Sequence, residues 1–255
     1  MFQRMRIPVT LLLLAVMLTG CGSTNADGTL DRSGIWGKFV GIVSDGLDYF
    51  YQLTTDYGVA ILIVTLIVRI ITLPLMIKQI RYTKVMQQLS PELTKIREKH
   101  KNDKQKINEE TMKLFQQYNA NPLAGCFPIL VQMPILLALY QAINTNKALQ
   151  QHEFLGILTL SSTQSIENII LAVLAAGTTF LQSKMSMVNN DANTKMMLMI
   201  MPLMIGFFTW QFPAALGLYW IFSNILTIVQ TYFTKGIKAP DQPGAAAPAA
   251  GGKKK

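Results

Sequence analysis

Hydropathy along the chain rises and falls in long blocks. Gly58 to Met76 (GVAILIVTLIVRIITLPLM) is a 19-residue apolar run with one charge, Arg69, inside it. That is long enough for one helical crossing of a bilayer. Pro122 to Ile143, Ile169 to Ser183, Met196 to Phe212 and Leu216 to Phe233 are four further runs, helical by length. The pattern predicts an all-α polytopic membrane protein with five transmembrane helices. Between the first two runs the period changes: Met86, Leu89, Leu93 and Ile96 recur at three and four residues, as do Ile107, Thr111, Leu114 and Tyr118, with the polar string KHKND between the two sets. This predicts a cytoplasmic antiparallel helical hairpin within residues 78–121. Its apolar seam is too narrow for a domain with its own core, so it reads as a mobile arm.

The N-terminus carries an address. Arg4 and Arg6 precede an apolar stretch, Val9 to Leu18, which is too short to span a bilayer but suits a secretory signal. The string Leu18-Thr19-Gly20-Cys21 resembles a bacterial lipobox. That implies removal of residues 1–20, lipidation of Cys21 and an extracellular N-terminal region over 21–57. A plain signal peptide would give the same topology without the anchor, and acyl chains hold a protein at the surface without spanning it. At the other end, residues 235–255 are rich in Pro, Ala and Gly, lack periodicity and finish in KKK, as a disordered basic cytoplasmic tail would.

Composition sharpens this picture. Half of the 255 residues are hydrophobic, 15% are charged and the mean hydropathy is +0.30. A water-soluble globule is excluded. The net charge of +9 is explained by where the charges lie. With the N-terminus outside, the segments after the first, third and fifth spans hold 17 Lys and Arg against 7 Asp and Glu. The outer segments hold Arg32, Lys38 and Lys147 against seven acidic residues. Both biases obey the positive-inside rule in one orientation, so DNA binding is not needed to account for the charge. The basic exterior of the hairpin suits ribosomal RNA or anionic headgroups, and equally a merely solvated face. Two isolated cysteines and two histidines on opposite sides of the membrane supply neither a disulfide framework nor a metal site, and no cofactor is implied.

Arg69 is the twelfth residue of its run, roughly 10 Å from the cytoplasmic end at about 1.5 Å per residue. No other span carries a charged residue well inside its limits. A charge at that depth costs on the order of 3 kcal/mol, and no intramembrane carboxylate can neutralise it. Snorkelling toward the headgroups is one remedy. The neighbours suggest another. Thr65, Arg69 and Thr72 share one helix face. Thr178, Thr179, Gln182 and Ser186 form a stripe in the third span, and Trp220, Ser223, Asn224, Thr227, Gln230 and Thr231 form one in the fifth. Single Ser or Thr residues often only join helices by hydrogen bonds. Three stripes at one depth around an unpaired arginine predict a wet, positive cavity open to the cytoplasm and sealed toward the outside. A channel would need polar positions along the whole lining, a carrier a repeated pair of interrupted helices. A protease would need a His or Asp in a span to activate Ser223.

These residues resemble a known family. YGVAILIVTLIVRIITLPLMIKQ, NPLAGCFPILVQMPILLALYQAI, FLQSKM and FPAALGLYWIFSNILTIVQ, covering nearly all of residues 57–234 in order, are similar to the YidC/Oxa1/Alb3 membrane protein insertases. The similarity is strongest to the lipoprotein-type five-span members of Gram-positive bacteria, including the sporulation-associated form. The resemblance implies an insertase core over 58–234, without covalent chemistry, in the bacterial cell membrane. Arg69, Thr65, Gln182 and Trp220 would line the substrate groove, where Arg69 meets acidic residues of a client's translocated tail. The third and fifth helices would form the slide to lipid. The implied partners are nascent membrane proteins with short, often acidic tails, the ribosome, the Sec translocon and membrane lipids. Seven Met lie between Met185 and Met204, which suits promiscuous apolar contact and ordinary lipid-facing packing alike.

Overall fold

The computed structural model describes residues 24–25, 27–101, 103–118, 120, 127–186 and 192–234, except for the side chains of 127–129, 192–194 and 197. The leader with Cys21, the segment containing Cys126 and the tail from 235 onward lie outside the described residues.

The first helix is one the hydropathy pattern does not predict. α1 (Ile35–Thr54) buries Trp36, Val40, Ser44 and Leu47 on one face. A second stripe, Ile35, Ile42, Tyr49 and Leu53, is exposed. Lys38, Asp45 and Gln52 sit on the polar arc between them. Mixing apolar and charged residues around a 3.6-residue period averages the hydropathy away while leaving a strongly sided helix.

α2 (Tyr57–Lys99) joins the first span and the first arm of the hairpin into one continuous 43-residue helix. Asp56 starts it by accepting from the backbone N–H groups of Gly58 at 2.7 Å and Val59 at 3.2 Å, which satisfies donors the first turn leaves open. Pro74 and Pro91 lie within it. At about 1.5 Å per residue it extends roughly 65 Å, about twice the hydrocarbon thickness, so its far half must leave the bilayer. α3 (Lys104–Gln117) runs back along that half, opened by Asp103, whose carboxylate accepts from the Lys106 N–H at 3.0 Å. Val85, Leu89, Leu93, Leu114 and Ala120 form the buried seam, flanked by Met86, Ile96, Phe115 and Tyr118. This is the predicted hairpin with the predicted narrow core, separate from that of the bundle.

The rest of the bundle is α4 (Phe127–Thr145), α6 (Ile166–Ser186), α7 (Ala192–Gln211) and α8 (Ala214–Thr234). The connection from α4 to α6 holds the short α5 (Lys147–Gln150) and a two-stranded hairpin, β1 (Glu153–Phe154) with β2 (Leu158–Thr159), paired Glu153 to Thr159 and Phe154 to Leu158. α2, α6 and α8 are long and apolar enough to cross a membrane, and α4 and α7 contribute shorter apolar stretches, Leu130–Thr145 and Leu198–Gln211. α6 packs on α7 and α8, α2 on α1 and α8, and α4 on α1 and α8. Gly217 lets α8 lie close against α7, since a Cβ there would meet the Thr209 Cγ2 at 2.7 Å.

The core is unevenly distributed. Its buried residues include Ala60, Ile61 and Thr65 of α2, Ala138, Leu139, Ala142 and Ile143 of α4, Leu171, Ala175 and Thr179 of α6, and Ala214 to Tyr219 of α8. All of these lie toward the end closed by α1, α5 and the β-hairpin, here the capped end. Beyond them packing stops: no residue of α2 from 66 to 84, of α6 from 180 to 186, or of α8 from 225 to 234 is buried. The bundle is closed at its capped end and opens toward the helical hairpin.

Candidate functional site

The boundary between the packed and open halves is polar. Thr65 is the last buried residue of the α2 span, Thr179 the last of α6 and Asn224 the last of α8. Arg69 lies one turn beyond Thr65 and is half-buried. Its Nη2 donates to the Ser223 carbonyl oxygen at 3.2 Å and to the Ser223 Oγ. Among the described residues no carboxylate pairs with it. Thus the arginine expected to need an external partner has part of its solvation supplied by the α8 backbone, which carries partial negative charge without a full counter-charge. The same carbonyl accepts from the Thr227 hydroxyl at 2.8 Å.

Around this contact the stripes meet unequally. Asn224 Nδ2 donates to Thr179 Oγ1 at 2.8 Å and to Thr178 Oγ1 at 3.1 Å, tying α8 to α6 at the level of Arg69. The hydroxyl of Thr65 turns inward to the Ile61 carbonyl of its own helix at 2.6 Å, and that of Thr72 to the Val68 carbonyl at 2.8 Å. Neither leaves a backbone carbonyl unmet by doing so, and each keeps its oxygen as an acceptor. Gln182 and Trp220 are half-buried, and no hydrogen bond joins either to Arg69 among the described residues. Arg69, Ser223, Thr227, Asn224, Thr178 and Thr179 therefore form one cluster, with Gln182 one turn further toward the open end and Trp220 one turn nearer the capped end, packed against the core.

Two further members were not predicted. Gln132 of α4 donates through Nε2 to the Tyr219 hydroxyl, and Tyr219 also hydrogen-bonds Ser223. Tyr219 is 5% exposed. Neither residue is charged, and neither belongs to a stripe. The available signal was that a glutamine amide inside an apolar span must find a partner.

Taken together, the fold and this site define a polytopic helical membrane protein with a polar cluster, carrying one arginine, at the level where burial in its bundle ends. Residues 49–241 match the family described as 60Kd inner membrane protein. The chain belongs to that family. It is 42% identical over 268 residues to the membrane protein insertase MisCA of Bacillus subtilis, covering all of both chains. It is 40% identical over 261 residues to membrane protein insertase YidC 1 of Halalkalibacterium halodurans, again over all of both chains. In structure it resembles a chain described as an active YidC insertase crystal structure with the first transmembrane domain resolved, with a TM-score of 0.66, 25% identity and 80% of this chain covered. The chain spans about half (48%) of that longer protein.

Proposed function

We propose that this protein is a membrane protein insertase that lowers the barrier for a client's polar tail, without covalent chemistry or a cofactor. The observation that carries this reading is the half-buried Arg69 at the point where bundle packing ends, held by Ser223 and faced by no carboxylate among the described residues. A short acidic tail entering from the open side finds a cation in a low-dielectric setting, where the attraction exceeds its value in water. The packed capped end prevents a continuous pore, so the tail has a thinner apolar barrier to cross. Placing the client's transmembrane segment in lipid then supplies the driving force. Arg69, Thr65, Gln182, Trp220, Ser223, Asn224 and Thr227 are the groove residues in this account.

The same reading sets the topology. Five spans within 58–234 place the hairpin, 78–121, and the tail, 235–255, in the cytoplasm, and α1 and the β-hairpin outside. Cys21 is lipidated after removal of residues 1–20. The insertases named above support the client class of nascent membrane proteins. The ribosome, the Sec translocon and surrounding lipids are further partners on this proposal, met through the hairpin, the bundle flank and the apolar faces respectively.

Arg69 supplies the test. In proteoliposomes containing the purified protein, Arg69→Lys retains insertion of an acidic-tailed single-span client, whereas Arg69→Glu reduces it by about tenfold or more through like-charge repulsion. Unchanged insertion of every client by Arg69→Ala overturns the charged-groove mechanism.

A further inference from the structure

The Arg69 guanidinium is anchored through Ser223, and Ser223 is itself anchored. Its hydroxyl receives Arg69 Nη2 and is hydrogen-bonded with Tyr219, one turn earlier on α8. The Tyr219 hydroxyl accepts from Gln132 Nε2 on α4. The chain Gln132, Tyr219, Ser223, Arg69 thus connects three helices, α4, α8 and α2, through side chains. Tyr219 and Ser223 are 5% and 6% exposed, so neither hydroxyl has bulk water as an easy alternative. An arginine on a long flexible stem otherwise samples several rotamers, and its charge is spread over a range of depths.

We infer that Gln132 and Tyr219 are positioning residues of the groove: through Ser223 they fix the depth of the Arg69 guanidinium, so that a client is selected by where along its tail the carboxylate lies. This rests on the reading of Arg69 given above. Phe at 219 keeps the ring and its packing but breaks the chain at its middle. Met at 132 breaks it from a different helix, at similar volume.

The test uses the full-length protein in proteoliposomes and a client series in which a single Asp is moved residue by residue through an otherwise neutral tail. The unsubstituted protein gives a profile peaked at one or two adjacent positions. Tyr219→Phe and Gln132→Met each lower the ratio of peak to flank by roughly fivefold, the weight of about one hydrogen bond. A role in general stability would scale the whole profile down and leave its shape alone. Peaks retained in both variants, or a flat profile in the unsubstituted protein, overturn the inference. Arg69→Ala separates this from the underlying reading. If its profile is flat while the Tyr219→Phe profile stays peaked, only the positioning role falls. If the Arg69→Ala profile stays peaked, the reading of Arg69 falls with it.

Discussion

Asn168 and Arg69 are both polar groups set among apolar helices, and they are treated in opposite ways. At the capped end Asn168 is fully buried, and every one of its hydrogen-bonding directions is used. Its Oδ1 accepts from the hydroxyls of Ser162 at 2.9 Å and Ser165 at 3.2 Å, and its Nδ2 donates to the carbonyls of Ser162 at 2.9 Å and Phe212 at 3.2 Å. Arg69 uses only Nη2 among the described residues, and beyond it no residue of α2 from 66 to 84, of α6 from 180 to 186 or of α8 from 225 to 234 is buried. Satisfied polar groups lock a membrane bundle, and incompletely satisfied ones leave interaction energy for something else to collect. The comparison separates the end that holds the fold together from the end where the proposed groove lies.

The contrast makes graded predictions. Asn168→Leu removes a hydrogen-bond partner from two carbonyls and two hydroxyls and costs about 3 kcal/mol, which appears as a lower unfolding midpoint in detergent. Leu89→Ala, in the separate seam of the hairpin, costs about 2 kcal/mol there. Hydrogen exchange rises along 83–117 while the bundle amides keep their protection. If the bundle loosens as well, the hairpin and bundle are one cooperative unit. Thr227→Val, at the open end, shifts the midpoint by less than about 0.5 kcal/mol yet reduces insertion of acidic-tailed clients. A stability loss comparable to that of Asn168→Leu would erase the distinction between the two ends.

Much of this architecture is written in the hydrophobic pattern. The spans stand out because lipid demands long unbroken apolar runs, and the hairpin seam because Leu89, Leu93 and Leu114 keep helical spacing in polar surroundings. α1 was illegible because Lys38, Asp45, Asp48 and glycines alternate in sequence with its apolar positions, which suits a helix lying between two environments but dilutes a window average. The continuity of α2 was hidden for a related reason. The pattern changes from apolar to polar at Lys78, while the helix itself runs on past Pro91 to Lys99.

At the site, Arg69 was legible as the sole charge well inside a span, and Ser223 and Asn224 as parts of a stripe. That Ser223 receives the arginine and Asn224 the threonines of α6 depends on the rotation of each helix, which periodicity leaves open by tens of degrees. Gln132 and Tyr219 were missed because attention to charge passes over neutral amides and phenols, although burial forces these to pair.

The most direct measurement is cysteine accessibility across the boundary, in chains with Cys21 and Cys126 replaced. Single cysteines at Thr72 and Thr227, on the open side of Arg69, are expected to react with a membrane-impermeant thiol reagent supplied from the cytoplasmic face and not from the outer face. Cysteines at Ala60 and Ala175, both fully buried, are expected to stay unreactive from either face. Unreactive cysteines at Thr72 and Thr227, or cysteines there that react from both faces, would contradict a water-filled groove closed at its capped end.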